Sequence, residues 1–139
     1  MNDVIDSILN TPIGAAIAYF SVAVLELVVF LAIFEAVTRY KCWDEIRKGN
    51  LAVAMATGGK IFGICNILRF CIESGSTIYE SMLWSLLGFG LLMVAYFLFE
   101  FVTPFFKVDE EIGNGNKAVG LISMILSVAL SYVIGVSVL

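Results

Sequence analysis

Residues 12–37 read PIGAAIAYFSVAVLELVVFLAIFEAV, and Glu26 is the only charged residue in this stretch before Glu35. A bilayer core about 30 Å thick needs about 20 mostly apolar helical residues to cross it. Three further stretches meet this requirement, at about residues 51–72, 81–102 and 117–139. Short polar loops separate the four stretches and leave no room for a soluble domain. The sequence therefore predicts an all-α membrane protein, in which residues 1–139 form a single domain of four transmembrane helices.

The composition agrees with a membrane location and excludes most soluble functions. Of the 139 residues, 60% are apolar and 14% are charged, and the mean hydropathy is +0.98. A soluble domain has about 45–50% apolar and about 25% charged residues. The chain has no histidine, no Gly-rich phosphate loop and no nucleophile motif, and its cysteines lack metal-binding spacing. We therefore expect no enzyme activity, no cofactor, no metal and no nucleic-acid partner.

The N-terminal segment is acidic, unlike the basic start of a signal peptide. Four apolar residues of this segment share one face of a helical wheel, Val4, Ile5, Ile8 and Leu9. This pattern suits a short helix on the membrane surface, and a frayed terminus is the alternative. Thr11 and Pro12 are typical of the N-cap and first residue of the first spanning helix.

Basic residues are concentrated in two of the three loops. The loop between the first and second spans and the loop between the third and fourth contain six of them, Arg39, Lys41, Arg47, Lys48, Lys107 and Lys117. The opposite side has only Arg69. Because cytoplasmic loops are enriched in Lys and Arg, we predict that both basic loops are cytoplasmic and that both termini lie outside.

The two basic loops repeat one another. The first reads Phe34-Glu35-Ala36-Val37-Thr38 and then Glu45-Ile46-x-x-Gly49-Asn50-x-Ala52-Val53, and the second reads Phe99-Glu100-Phe101-Val102-Thr103 and then Glu111-Ile112-x-x-Gly115-Asn116-x-Ala118-Val119. We interpret the chain as a tandem repeat of a two-helix unit, with copies at about residues 12–72 and 80–139. Two parallel units of this kind are expected to be related by a pseudo-twofold axis along the membrane normal.

The repeated loop residues have a plain structural interpretation. They are Glu45, Gly49 and Asn50 in the first copy and Glu111, Gly115 and Asn116 in the second. The glycines suit a positive φ that ends a short helix, and the asparagines suit the N-cap of the next spanning helix. The alternative is a ligand or partner site built from the paired loops.

Glu35 and Glu100 close the first and third spans at equivalent positions of the repeat. In one interpretation, each carboxylate reaches the headgroup region and faces the positive N-termini of the second and fourth spans. In the other, the two carboxylates flank the central axis and bind a cation or a basic segment of a partner.

The chain resembles the bacterial inner-membrane family called domain of unknown function 350, of the YjfL and YshE type. The resemblance rests on the repeated loops and on the segments Thr38-Arg39-Tyr40-Lys41 and Gly58-Gly59-Lys60-Ile61-Phe62-Gly63, and it covers essentially the whole chain. It implies a small four-helix protein of the bacterial inner membrane, often encoded near envelope-stress or phage-shock-type genes, and it provides no catalytic residue. The second copy departs from the first because Pro104 replaces Arg39 and Lys60 has no counterpart.

Two ionisable residues lie deep in the predicted spans. Glu26 lies about eleven residues before the cytoplasmic end of the first span. Lys60 lies about ten residues after the cytoplasmic end of the second span. Both residues are therefore about 15 Å deep in the membrane. At equal depth on adjacent helices, either the two residues pair or Lys60 loses its proton instead. Tyr19 lies on the face of Glu26 as a candidate hydrogen-bond donor to it. The pair either fixes the register of the first repeat or serves as a proton or ion relay.

Small residues form rows on two of the spans, where helices can approach closely. The fourth span has Ser123, Ser127, Ser131 and Gly135, and the second has Gly59 and Gly63. Packing within the four-helix unit accounts for these rows, with contact between copies as the competing use. We expect a homo-oligomer embedded in the lipid bilayer.

Two functions remain as hypotheses. The favoured one is a structural or scaffolding component of the cell envelope, whose duplicated cytoplasmic loops contact lipid or a cytoplasmic or membrane protein partner. The alternative is a small oligomeric ion or proton channel or transporter that uses Glu26 and Lys60. Flux after reconstitution would favour the alternative, whereas loop-dependent co-purification of a partner would favour the scaffold.

Overall fold

The computed structural model describes residues 2–38, 40–75, 77–103 and 107–138, and all regular elements in these ranges are helices. They are α1 (Asn2–Leu9), α2 (Pro12–Val37), α3 (Cys42–Arg47), α4 (Leu51–Glu73), α5 (Ile78–Val102), α6 (Val108–Gly113) and α7 (Lys117–Ser137). Four of them, α2, α4, α5 and α7, are long and apolar enough to cross a membrane. The predicted all-α class with four membrane-length helices is therefore confirmed.

The first span begins where the sequence predicts. α2 starts at Pro12 after its N-cap Thr11, whose Oγ1 accepts a hydrogen bond of 3.2 Å from the Gly14 N–H. The N-terminal segment is helical as α1, while its position on a membrane surface stays a prediction. Three positions used in the sequence analysis, Arg39, Pro104 and Leu139, lie outside the described residues.

The third span begins earlier than predicted, at Ile78 instead of residue 81. Thr77 and Glu80 form a capping box, in which the Glu80 N–H donates to Thr77 Oγ1 and the Thr77 N–H donates to Glu80 Oε2, each at 3.3 Å. The Thr-x-x-Glu pattern is a helix-start signal that the hydropathy of the span does not reveal. The second span ends one residue later than predicted, at Glu73.

α4 is the central helix of the bundle. It packs mainly against α7 and also against α2 and α5, whereas the buried residues of α2 are Phe30 and Phe34. One apolar core lies among these four long helices, and a second lies beneath α3 and α6. We call the end of the bundle with α3 and α6 the loop end, and the end with α1 and the α4–α5 connection the terminal end.

The contact between α4 and α7 is close. A Cβ added at Gly59 would lie 2.6 Å from Met124 Cα, and Asn66 Nδ2 donates a hydrogen bond of 3.0 Å to Ser131 Oγ. The small residues identified in the sequence are all buried within this one chain, Gly59, Gly63, Ser123, Ser127, Ser131 and Gly135. The rows therefore serve contacts inside the protomer.

Candidate functional site

Lys60 lies inside the bundle, at 2% exposure, and its Nζ has no hydrogen-bond partner among the described residues. The Nζ lies 4.6 Å from the ring centroid of Tyr96 and 5.4 Å from that of Phe34, where aromatic faces attract a cation. Because helical side chains lean toward the N-terminus of their helix, Lys60 reaches toward the loop end. Asp109 and Cys42, both buried there, act on it electrostatically.

Glu26 contacts α5 instead of Lys60. Its Oε1 accepts a hydrogen bond of 2.8 Å from Ser85 Oγ, and Ser85 is fully buried. No ion pair between the described residues joins Glu26 to Lys60. The physical reason is that α2 and α4 are antiparallel, so side chains at equal depth lean in opposite directions. Tyr19, the predicted donor to Glu26, lines a separate pocket of about 390 Å³ at the terminal end.

An aromatic layer lies between the Glu26 carboxylate and the intramembrane lysine. Phe30, one turn after Glu26, stacks on Phe89 with ring centroids 4.2 Å apart. Phe34, one turn further, contacts Phe89 edge-on at 5.2 Å and Tyr96 at 6.1 Å. All four rings are buried. The two ionisable groups of the spans therefore belong to two separate polar sites.

Further buried hydroxyl groups lie in the loop-end half of the bundle. Thr57, Tyr96 and Ser123 are 4%, 7% and 2% exposed, and none has a hydrogen-bond partner among the described residues. Tyr96 and Ser123 line a cavity of about 20 Å³, with Phe34 and Phe99 among its apolar walls. Thr57 and Tyr96 are not among the site residues predicted from the sequence, where the available signal was a polar atom in an apolar span.

The repeated glycines and asparagines cap the helices of the loop end. Gly49 and Gly115 have φ values of +86° and +88°, a region that glycine adopts without steric cost, and they follow α3 and α6. Asn50 and Asn116 are the N-caps of α4 and α7, where each side chain accepts a bond from the N–H three residues later, at 3.3 and 3.4 Å. These positions explain why the two loops share a sequence pattern.

The two loops are joined through Asn50. Its Nδ2 donates to Glu45 Oε2 at 3.2 Å, and the equivalent bond from Asn116 to Glu111 is 2.9 Å. Asn50 Nδ2 also donates at 2.9 Å to the carbonyl of Gly113, in the other loop. Beneath this link, one apolar core contains buried residues of both loops and of α4, including Tyr40, Cys42, Val53, Val108 and Ile112. The loops therefore form one surface.

A polar groove of about 340 Å³ lies between the two loops. Its lining includes six charged residues, Lys41, Asp44, Glu45, Lys48, Asp109 and Glu110. Glu45 and Lys48 form an ion pair with an N–O distance of 3.7 Å. Tyr40 also lines the groove, and burial, together with the nearby Cys42 and Asp109, raises the pKa of its phenol. Acidic groups outnumber basic ones along the groove.

Glu35 and Glu100 are half-buried near the loop ends of α2 and α5. The backbone carbonyl of each accepts a hydrogen bond from a threonine three residues later, at 3.1 and 3.2 Å. Both interpretations of these carboxylates, contact with the lipid headgroups and binding of a cation or a basic partner segment, stay predictions. In the described part of the chain, no group of three or more Cys, Asp or Glu side chains could hold a metal ion.

The comparisons with known proteins agree with this architecture. The family model described as Domain of Unknown Function (DUF350) matches residues 7–138. The sequence is 54% identical over 121 residues to the UPF0719 transmembrane protein YshE of Bacillus subtilis (strain 168), a match that covers 87% of this chain and 90% of that protein. No solved structure matches the chain. The family resemblance inferred from the repeated loops is confirmed.

Proposed function

Because the chain belongs to the DUF350 family, whose function is unknown, and contains four membrane-length helices, we propose that it is a scaffold of the bacterial inner membrane. In this proposal, α3 and α6 form one docking surface on the cytoplasmic side, and both termini lie outside. The observation that carries the proposal is the hydrogen bond from Asn50 to Gly113, which links the two loops. A docking surface benefits from such preorganisation, since less motion is lost on binding.

The charge of the groove favours a basic partner segment. Four carboxylate side chains and two lysines line it, and one lysine, Lys48, is already paired with Glu45. Asp44 and Glu110 are exposed on opposite sides of the groove. A Lys- or Arg-containing segment of a partner protein therefore complements the groove better than an anionic lipid headgroup does.

The repeat is part of the same proposal. α3 and α6 each contain six residues, each follows a lysine in extended conformation, and each is followed by a glycine with positive φ. These parallels support two copies of one unit related by a pseudo-twofold axis along the membrane normal. A homo-oligomer would meet through other faces than the small-residue rows, such as the exposed apolar side of α2.

Affinity purification from native membranes tests the scaffold. We expect the wild-type protein to retain a partner protein that the double variant Asp44→Asn/Glu110→Gln loses. The matched control is Glu73→Gln, which removes an exposed carboxylate at the terminal end, where Glu73 pairs weakly with Arg69. Retention of the same proteins by all three forms, or of lipid alone, contradicts the proposal.

A second candidate function is an ion or proton channel or transporter. The observation in its favour is Lys60, since an ionisable group buried in a span is by default a functional candidate. The aromatic layer between Glu26 and Lys60 weighs against a continuous polar path in this conformation. Proton or cation flux in liposomes that falls at least about tenfold in Glu26→Gln would support it. Equal flux in both forms, or none in the wild type, would reject it.

A further inference from the structure

We propose that Glu26 is a proton-binding site, at which the carboxyl group is protonated in the folded protein and donates a hydrogen bond to Ser85 of α5. The site lies between α2 and α5, apart from the groove between the loops, so it exists whether or not a partner binds there. It also requires no passage of protons across the membrane. The bound proton keeps the polar contact between the two helices free of charge.

The hydrogen bonds of Ser85 indicate where the proton is. Ser85 Oγ lies 2.8 Å from Glu26 Oε1 and also 2.8 Å from the carbonyl oxygen of Met82. A hydroxyl group has one hydrogen, whereas an ionised carboxylate and a carbonyl oxygen can only accept. With an ionised Glu26, Ser85 therefore donates to one of the two oxygens, and the other contact lacks a hydrogen. With a protonated Glu26, the carboxyl group donates to Ser85 and Ser85 donates to Met82, so both contacts are hydrogen bonds.

The surroundings of Glu26 are apolar. The residue is at least about 15 Å from either end of α2, and its side chain is half-buried. Val29, its neighbour on the helix surface, is exposed and faces lipid, and the stacked rings of Phe30 and Phe89 close the loop-end side. Neither hydrocarbon nor these rings can solvate a carboxylate, so a charge at this depth is unfavourable. A protonated carboxyl group avoids that cost.

No positive charge compensates an ionised Glu26. Among the described residues, no lysine or arginine forms an ion pair with it, and Lys60 lies beyond the aromatic layer. The titratable group of α4 that acts on Glu26 is the Cys71 thiol, which cannot supply positive charge, and the partner from α5 is the neutral hydroxyl of Ser85. On α2 itself, Tyr19 lines the pocket at the terminal end. A proton is therefore the charge that neutralises this carboxylate.

Infrared spectroscopy of the protein in lipid vesicles detects this proton. A protonated carboxylic acid has a carbonyl stretching band that is separate from the bands of a carboxylate. At about pH 7, carboxyl groups in water are ionised, since their pKa values are about 4. We expect the wild type to show the acid band at this pH and Glu26→Gln to lose it. In Ser85→Ala, the band should remain but shift in frequency, because the proton has lost its acceptor.

A lipid-soluble carbodiimide tests the same site by its reactivity. Dicyclohexylcarbodiimide adds to a protonated carboxyl group that it reaches from the hydrocarbon: the carboxyl oxygen bonds to the central carbon, the proton moves to one nitrogen, and the whole reagent stays attached. We expect peptide mass spectrometry to locate an adduct at Glu26 in the wild type, and Glu26→Gln to lose it. The matched control is Glu35→Gln, which removes the half-buried carboxyl group at the loop end of the same helix and should keep the adduct.

Glutamine has the shape of the protonated acid, and its amide can donate to Ser85, so Glu26→Gln is expected to fold. Coincident spectra of the wild type and Glu26→Gln in the region of the acid band, or no adduct at Glu26 in the wild type, would overturn the proposal. A band that keeps its frequency in Ser85→Ala would exclude Ser85 as the acceptor. Protection of Glu26 from the reagent by sodium ions, at constant pH and ionic strength, would indicate a bound cation instead of a proton.

Discussion

Gly58 and Gly59 are adjacent residues of α4 with different surroundings. A Cβ added at Gly58 would meet no heavy atom within 4 Å, whereas one at Gly59 would lie 2.6 Å from the backbone of Met124 in α7. Gly59 therefore permits the close approach of two helices, as small residues do in membrane proteins. Gly58 contributes only backbone freedom, which disfavours a helix.

This difference predicts opposite effects of the same substitution. Gly59→Ala should lower the free energy of unfolding by about 1–3 kcal/mol, because the backbone of α7 must move away. Gly58→Ala should raise it by about 0.5–1 kcal/mol, because alanine is the better helix former. Unfolding by heat or by a denaturing detergent in micelles measures both. Similar effects of the two variants would contradict the close contact.

At the residue scale, the burial of a polar group is easier to predict from the sequence than its hydrogen-bond or ion-pair partner. The spacing places Glu26 and Lys60 at equal depth, and they do lie within spans. Their partners depend on the direction in which each side chain leaves its helix and on neighbours from α5. Ser85, which donates to Glu26, is 59 residues away along the chain, and no local pattern connects the two.

At the scale of single elements, the two loops differ in one bond. Asn50 and Asn116 each cap a spanning helix and each bind a glutamate of their own loop. Asn50 also donates to Gly113, and no equivalent bond from Asn116 to the first loop occurs among the described residues. The loop link therefore depends on the first copy of the motif.

We therefore expect Asn50→Ala to destabilise the protein more than Asn116→Ala does. Loss of the cap costs about 1 kcal/mol in each variant, and loss of the link to Gly113 adds about 0.5–1.5 kcal/mol in Asn50→Ala. Chemical or thermal unfolding gives the difference. Hydrogen exchange should also rise in α6 in Asn50→Ala alone, and equal exchange in both variants would argue against the link.

The helix ends show why some features of the elements follow from the sequence. The caps at Thr11, Asn50 and Asn116 involve residues close along the chain, so a local pattern suffices to predict them. The start of α5 is equally local. However, its capping-box residues Thr77 and Glu80 lie before the most hydrophobic stretch, so the span was predicted to begin too late. The groove between the loops depends on how two distant segments approach, which no local pattern specifies.

At the scale of the whole molecule, the bundle places Lys48 at the loop end and Glu73 at the terminal end. We expect a membrane-impermeant maleimide to label Glu73→Cys on intact cells and Lys48→Cys only after lysis, because basic loops are retained in the cytoplasm. The unmodified chain is the control, since Cys42 and Cys71 are buried and Cys65 is on a spanning helix. Labelling of Lys48→Cys on intact cells would indicate the opposite orientation, with the loop end outside.

The pairing of α4 with α7 has a consequence for how the protein is made. α7 leaves the ribosome after α2, α4 and α5, so the face of α4 that contains Gly59 and Asn66 lacks its α7 contacts until then. In an unfinished chain, the amide of Asn66 therefore lacks its partner Ser131, which is unfavourable inside the bilayer, and we expect such a chain to be degraded faster. Deletion of α7 should shorten the lifetime of the protein in cells more than deletion of α1 does, and pulse-chase measurements would show it.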